Sequence, residues 1–292
     1  MSSFKKYSLF ISITLFFLQL TPLTPVHAYQ KAKGFKAFKA ASVSSYSATV
    51  IDSETGEILF GKRENDKRSL ASITKILGAY VFLEENPTLD KKTTLLSTDE
   101  VGGGRLRLAV GTSLKVKDML YSSLIGSANN AATSLVRLSG LSKSKFVSKM
   151  DSLADSVEAS DKSNFVDASG ISPENTTTAK DIALIAKKVF GNSLLEKISS
   201  RKKYSFFING GKGQKTIVHT SPIVTGKNSG FSILAAKTGY LPEAGYNLVI
   251  KAGAKKGKGK IITVTLGAKS QSASTRDVRK LTEWALNNYK WK

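Results

Sequence analysis

Strand-like segments lie at both ends of this chain, and helical patterns lie between them. Residues 47–52 alternate apolar and polar side chains, and a Gly-containing turn leads to a second run at 57–60, which is typical of a β-hairpin. The last third has further strand-like runs before an amphipathic helix at 275–289. Strands this far apart in sequence can bury their apolar faces by joining one antiparallel sheet. The pattern therefore predicts an α+β fold, with helices segregated from the sheet.

The other elements follow from hydrophobic periodicity and turn residues. An apolar helix is predicted from Ser72 to about residue 85, because Asn86-Pro87 ends it. Small and polar residues interrupt the helical pattern at 116–138. Two more helices are predicted at 142–158 and 178–190. The remaining predicted strands lie at 91–97, 204–209, 216–219, 231–238, 246–254 and 261–268, with a loop-rich segment at 101–111 and a basic hairpin tip at 253–260.

The first 28 residues have the pattern of a secretory signal peptide. Lys5 and Lys6 precede an apolar run at 7–20, and Val26-His27-Ala28 has the small-x-small cleavage pattern. The alternative is an uncleaved membrane anchor, but the run is shorter than the ~20 residues that a spanning helix needs. We therefore expect an exported protein whose signal peptide is cleaved after Ala28.

The chain is strongly basic, with 44 Lys and Arg against 22 Asp and Glu and a formal net charge of +22. Loss of Lys5 and Lys6 with the signal peptide leaves about +20. Residues 29–45 carry four lysines and are interpreted as a loosely attached basic arm. An exported basic protein meets anionic cell-wall polymers or membrane lipids, so no nucleic acid is expected as a partner. A merely solvated basic surface is the other interpretation.

Cysteine is absent, and the two histidines are His27 and His219. The chain therefore has no disulfide, no thiolate nucleophile and no cysteine metal site. A His-rich zinc site is excluded because His27 lies in the signal peptide. A Ser-His-Asp triad would have to use His219.

A serine and a lysine stand three residues apart at the start of the predicted apolar helix, in Ser72-Ile-Thr-Lys75. Positions i and i+3 lie on one helix face about 5–6 Å apart at Cβ, so the lysine can reach the serine hydroxyl. Burial among apolar residues should lower the pKa of the Lys75 amine, which would make it a general base for Ser72. The same spacing also occurs in helices by chance.

Two further polar sets interrupt apolar segments. Ser127-Ala-Asn129 lies at the break in the 116–138 pattern, where a plain helix–helix loop is the alternative interpretation. Lys237-Thr-Gly239 ends an apolar strand and is followed by Tyr240. A lysine there must point out of the core or into a site, and glycine allows a ligand backbone to come close.

The order Ser-x-x-Lys, Ser-x-Asn and Lys-Thr-Gly is the signature of penicillin-binding serine peptidases and serine β-lactamases. The chain resembles the D-alanyl-D-alanine carboxypeptidase/endopeptidase family of low-molecular-mass penicillin-binding proteins. Segments 48–60, 165–181, 241–248 and 266–268 are similar to that family as well. The resemblance implies an antiparallel five-stranded sheet flanked by helices, plus a mostly helical subdomain. The predicted signal peptide (1–28) and basic arm (29–45) are thus followed by one catalytic domain at 46–292. Within it, the two halves of the sheet are expected at 46–71 and 200–292, and the helical part at 72–199.

The resemblance implies a role for each catalytic residue. Ser72 would be the acylated nucleophile and Lys75 its general base. Ser127 would relay a proton to the leaving amine, and Asn129 would orient the peptide or Lys75. This mechanism requires the Lys75 Nζ to reach both Ser72 and Ser127.

The resemblance also implies how substrate is held. Lys237 and Thr238 would bind its terminal carboxylate beside Gly239. Backbone amides of Ser72 and Tyr240 would form the oxyanion hole. Peptidoglycan peptides would be substrates, β-lactams would be covalent inhibitors, and no metal or organic cofactor is expected.

Other functions stay open at this point. A serine β-lactamase is disfavoured because Ala128 stands where class A enzymes have Asp, and because residues 164–178 lack a Glu-x-x-x-Asn pattern. A non-catalytic basic wall-binding protein is the third interpretation. Within the peptidases, the chain ends directly after its closing helix, as in endopeptidase-type members. Length does not decide between the two activities, so the predicted enzyme is a carboxypeptidase, an endopeptidase or both.

Overall fold

The computed structural model describes residues 29–157, 159, 162–226, 230–257 and 259–291. The predicted signal peptide and its cleavage after Ala28 lie outside the described residues. The strands are β1 (Tyr29–Lys31), β2 (Ser47–Asp52), β3 (Ile58–Lys62), β4 (Arg68–Ser69), β5 (Lys92–Thr94), β6 (Ser113–Lys115), β7 (Thr176–Thr177), β8 (Lys203–Ile208), β9 (Gly213–Val218), β10 (Phe231–Leu241), β11 (Gly245–Ala254), β12 (Lys260–Ala268) and β13 (Tyr289–Trp291). The α-helices are α1 (Lys75–Glu84), α2 (Val116–Leu124), α3 (Asn129–Leu138), α4 (Lys143–Asp155), α5 (Ala179–Val189), α6 (Ser193–Ser199), α7 (Pro222–Thr225) and α8 (Gln271–Asn288).

The central sheet has five antiparallel strands in the order β10-β11-β12-β2-β3. Strand β12 pairs with β2, with Val264 opposite Thr49, so both ends of the chain meet in one sheet. Strand β2 alternates between two cores. Ile51 packs with the helical block, whereas its neighbour Val50 packs on the other face with α8. The predicted five-stranded α+β fold is confirmed.

Helix α1 lies inside the helical block and is buried nearly all round. Seven of its ten residues are buried, including Ile76, Leu77 and Phe82. Gly78 allows a close approach, because a Cβ there would lie 3.1 Å from the Cβ of Ala168. This packing removes Lys75, the first residue of α1, from water.

Some predicted elements differ from the structure. The predicted strands 204–209 and 216–219 are β8 and β9, which pair with each other in a separate two-stranded sheet. The helix at 116–138 is two helices, α2 and α3, separated at the predicted interruption. The final helix begins earlier than predicted, since Ser270 Oγ accepts from the Ala273 amide and caps α8. Helices α6 and α7 were not predicted.

The N-terminal segment is packed against the body, so the prediction of a loosely attached arm is wrong. Strand β1 pairs with β13. Phe35 and Phe38 contact the ring of Trp284, with ring centroids 6.3 and 5.5 Å away. Phe35 and Phe38 lie between the lysines of this segment and supply the apolar contacts that attach it to the body, which the high lysine content did not indicate. In the part of the chain that the structure describes, no helix is long and apolar enough to cross a membrane.

Candidate active site

Ser72 lies in a short 3-10 turn, Ala71–Thr74, that leads directly into α1. Ala71 has a left-handed backbone, with φ of 48°, and Thr74 Oγ1 donates to its carbonyl at 2.8 Å. A non-glycine residue in this conformation is strained and is over-determined by its surroundings. The turn thereby fixes Ser72 at the end of the helix that carries Lys75.

Lys75 is completely buried, and its amine meets three oxygens. Its Nζ lies 2.7 Å from Ser72 Oγ and 2.7 Å from Asn129 Oδ1, and it also donates to the Ser169 carbonyl. Burial lowers the pKa of Lys75 from 10.5 to about 7, although the negative charge of Asp167 opposes that change. The predicted contact with Ser72 and the predicted fall in pKa are both confirmed. Near neutral pH this amine can therefore accept a proton from the serine.

Ser127 and Asn129 lie where α2 ends and α3 begins. Ser127 has a φ of 55°, and Asn129 is the first residue of α3. Asn129 Nδ2 donates to the Gly102 carbonyl at 2.9 Å, which directs its Oδ1 to Lys75. The interruption of the helical pattern therefore delivers both side chains to the same place as Ser72.

The expected contact between Lys75 and Ser127 is wrong. Within the described chain, no hydrogen bond joins Lys75 to Ser127. Lys237 Nζ donates instead to Ser127 Oγ at 2.7 Å and to the Thr238 carbonyl at 2.7 Å. Each buried lysine thus holds a different serine.

Lys237 lies on β10, the edge strand that faces the Ser72 turn, and is also completely buried. Burial and, secondarily, the charge of Lys75 hold the pKa of Lys237 well below its ordinary value. The two amines therefore oppose each other's protonation. The Thr238 hydroxyl lies 2.6 Å from that of Thr220.

Gly239 permits the contact between β10 and the nucleophile turn. A Cβ at this position would lie 2.4 Å from the Leu70 carbonyl oxygen and 3.1 Å from the Ile73 nitrogen. Tyr240 follows with half of its surface exposed, and its ring contacts the ring of Tyr246 in a tilted arrangement with centroids 4.4 Å apart. The Lys-Thr-Gly motif thus supplies both a buried amine and a close backbone contact.

The predicted residues surround one cleft of about 330 Å³. Six of the eight line it directly. The other two are the buried lysines: Lys75 is hydrogen-bonded to Ser72 in the cleft wall, and Lys237 is hydrogen-bonded to Ser127. The residues lining the cleft from the predicted set are Ser72, Ser127, Asn129, Thr238, Gly239 and Tyr240.

His219 does not complete a triad. Its Nδ1 accepts from the Ser221 amide at 2.9 Å, so the ring proton is on Nε2, which lies 3.2 Å from the Ser199 carbonyl. Burial, and then the charge of Lys237, lower the pKa of His219 to about 4. His219 is a neutral structural residue.

Sequence reasoning assigned no role to Asp167 or Ser169, although Ala168-Ser-Gly-Ile171 was part of the resemblance. Ser169 contributes its backbone carbonyl to the Lys75 amine, and a backbone contact cannot be predicted from a side-chain motif. The one available signal was an Asp-x-Ser-Gly run between predicted elements, a pattern typical of a tight polar turn.

Comparisons with known proteins agree with this geometry. Residues 34–270 match the model of a family described as D-alanyl-D-alanine carboxypeptidase. A D-alanyl-D-alanine endopeptidase of Haemophilus influenzae is 30% identical over 70% of this chain and 68% of its own length.

Solved structures share the fold. A mutant of the Streptomyces K15 DD-transpeptidase has a TM-score of 0.77 at 26% identity, covering 84% of this chain and 98% of its own. Penicillin-binding protein D2 of Listeria monocytogenes, in its ampicillin-bound form, has a TM-score of 0.72 at 26% identity, covering 85% and 98%. Since the family model spans most of a chain that also folds as these enzymes do, the protein belongs to the D-alanyl-D-alanine carboxypeptidase family of serine peptidases.

Proposed function

We propose that this protein is a serine DD-peptidase that cleaves D-alanyl-D-alanine-type bonds of peptidoglycan peptides through an acyl-enzyme on Ser72. The observation that carries the proposal is the 2.7 Å contact between Ser72 Oγ and a buried amine whose pKa is about 7. Lys75 accepts the Ser72 proton as Oγ attacks the substrate carbonyl. Asn129 holds the Lys75 amine in position during the transfer.

Ser127 delivers the proton to the leaving amine. The proton that Lys75 gains from Ser72 must reach Ser127, so Ser127 has to exchange its contact with Lys237 for one with Lys75 once substrate is bound. Binding of the substrate carboxylate near Lys237 and Thr238 favours this exchange, because an opposite charge raises the pKa of Lys237 and draws its amine away. Water then attacks the acyl carbonyl and gives a proton to Lys75. The acyl–Oγ bond breaks, the product leaves with its new carboxyl group, and Lys75 returns the proton to Ser72 Oγ.

The developing oxyanion is held by the backbone amides of Ser72 and Tyr240. Support comes from the position of β10 at the sheet edge and from the contact of Gly239 with Leu70, close to Ser72. Each such donor typically contributes about 2.7–4 kcal/mol to transition-state stabilisation. No step of this mechanism requires a metal or an organic cofactor.

The same nucleophile is proposed to be acylated by β-lactams, as the ampicillin-bound relative suggests. We further propose that the protein is exported after cleavage at Ala28, as a catalytic domain at 46–292 preceded by a basic segment at 29–45. Its basic surface would then face anionic wall polymers or lipids.

Labelled penicillin tests the nucleophile. The purified wild-type protein should form a covalent adduct, and Ser72→Ala should form none. An adduct that persists at full yield in Ser72→Ala contradicts the assignment. Slow release of hydrolysed penicillin is expected of a peptidase, whereas fast release would identify a β-lactamase.

Mass spectrometry of products from purified peptidoglycan tests the bond cleaved. Monomeric peptides shortened by one alanine indicate carboxypeptidase activity. Conversion of cross-linked dimers to monomers indicates endopeptidase activity, the reaction named for the Haemophilus influenzae relative. Binding to peptidoglycan without either product would support the non-catalytic alternative.

A further inference from the structure

Asp167 is the centre of a polar turn directly behind the nucleophile. Its carboxylate receives hydrogen bonds at 2.6–3.1 Å from the Ser169 amide, the Ser169 hydroxyl, the Gly170 amide, the Ser172 amide and the Asn175 side-chain amide. Burial alone would raise the pKa of Asp167, but the bonds from Ser169, Ser172 and Asn175 hold it below its ordinary value. Asp167 is therefore a half-buried, fixed negative charge at neutral pH.

The turn that Asp167 organises touches the catalytic residues at two points. The Ser169 carbonyl accepts a hydrogen bond from Lys75 Nζ. Gly170, with φ of 71°, lies so close to the nucleophile turn that a Cβ would be 2.0 Å from the Ala71 carbonyl oxygen. Movement of this turn would therefore displace Lys75 and the residue before Ser72 together.

Asp167 also acts on Lys75 through its charge. Within the described chain no hydrogen bond joins Asp167 to Lys75, yet the carboxylate opposes the fall in the Lys75 pKa that burial causes. Among the described residues, the polar groups bonded to the Lys75 amine are Ser72, Asn129 and Ser169, and all are neutral. The other charged group near Lys75 is Lys237, whose own pKa the charge of Lys75 lowers.

We infer that Asp167 is a positioning residue for the reaction: it fixes the Ser169 carbonyl against Lys75 Nζ and supplies the negative field that stabilises the ammonium formed when Ser72 gives up its proton. The inference rests on the proposed function, because it assumes that Lys75 is the general base. Without the charge, burial would make Lys75 a weaker base. Without the hydrogen bonds, the amine would lose a fixed acceptor.

The test is the pH dependence of acylation by a fluorescent penicillin. In the wild type, a base with a pKa of about 7 makes the rate at pH 6 about tenfold lower than the plateau at high pH. In Asp167→Asn the Lys75 pKa falls further, and losing a nearby opposite charge typically moves a pKa by about 1 or more. The variant rate at pH 6 should therefore lie less than about threefold below its own plateau, and that plateau should itself be lower.

Two further variants separate charge from folding. Asp167→Glu keeps the charge but not the hydrogen-bond geometry, so its plateau should fall while the tenfold pH effect remains. Asp99→Asn is the matched control, because Asp99 is a buried carboxylate whose ion pair is with Arg137 rather than with a catalytic residue. Asp99→Asn should lower the melting temperature without changing the pH profile.

The outcomes distinguish this inference from the proposed function. If the wild type itself forms no adduct through Ser72, the proposed function fails. If the wild type is acylated but Asp167→Asn keeps the tenfold pH effect, only the role of Asp167 is overturned. If Asp167→Asn does not fold, the other two variants still test the role of Asp167. Loss of the tenfold pH effect on acylation in Asp167→Glu or in Asp99→Asn would overturn that role.

Discussion

Gly239→Ala is predicted to damage catalysis by steric displacement alone. The added Cβ would lie 2.4 Å from the Leu70 carbonyl oxygen, whereas real Cβ contacts stay above 3.0 Å, so β10 and the nucleophile turn must separate by at least about 0.6 Å. Both elements are tightly packed, since Leu70 is completely buried and β10 is paired with β11 along its length. The gap therefore opens between Ser72 and the backbone of Tyr240.

The expected effect is a 10- to 100-fold fall in the second-order rate of acylation, because a misplacement of about 1 Å can lower an enzymatic rate by about 10²-fold. Stopped-flow measurement with a fluorescent penicillin gives this rate. Gly230→Ala is the matched control: Gly230 precedes β10, and a Cβ there meets nothing within 4 Å. A Gly239→Ala rate within twofold of the wild type, with Gly230→Ala also unchanged, would refute the steric argument.

Two other predictions concern stability. The pKa of Lys75 is about 7 in the folded protein against 10.5 ordinarily, so the unfolded chain binds more protons between these values and stability should rise with pH across that window. Lys75→Met should abolish acylation, raise the melting temperature at pH 7 and weaken this pH dependence without removing it, because Lys237 is also buried and its pKa is also lowered. A dependence unchanged from that of the wild type would contradict a lowered pKa of Lys75. Trp284→Ala removes the ring that Phe35 and Phe38 contact and the indole bond to the Lys36 carbonyl, and should lower the melting temperature by several degrees while leaving the acylation rate unchanged. Limited proteolysis should then cut within residues 29–45, and resistance there would contradict the packing described above.

Much of the site was predictable because side-chain chemistry marks it. A lysine inside an apolar helix or strand is costly to desolvate, so Lys75 and Lys237 stand out from their neighbours. Small and polar residues inside a helical pattern likewise marked Ser127 and Asn129. The fold class followed from strand patterns at both ends of the chain.

The rest depended on three-dimensional contacts that no local pattern encodes. Ser72 and Ser127 both line the cleft, and packing decides which of these two serines each buried amine contacts. Ser169 contributes a main-chain carbonyl, which any residue type could supply. The 29–45 segment contains aromatic residues whose partners, such as Trp284, lie about 250 positions away.

The pairing of β2 with β12 also has a consequence for how the enzyme matures. The strands that carry the opening hairpin and the closing third become neighbours only after more than 200 residues have been ordered or looped out, and such non-local contacts slow folding. Ser72 and Lys237 cannot face each other before that sheet is assembled. Covalent penicillin labelling during refolding should consequently lag behind the recovery of helical circular dichroism, so that reactivity is acquired late and a partly folded chain is inert.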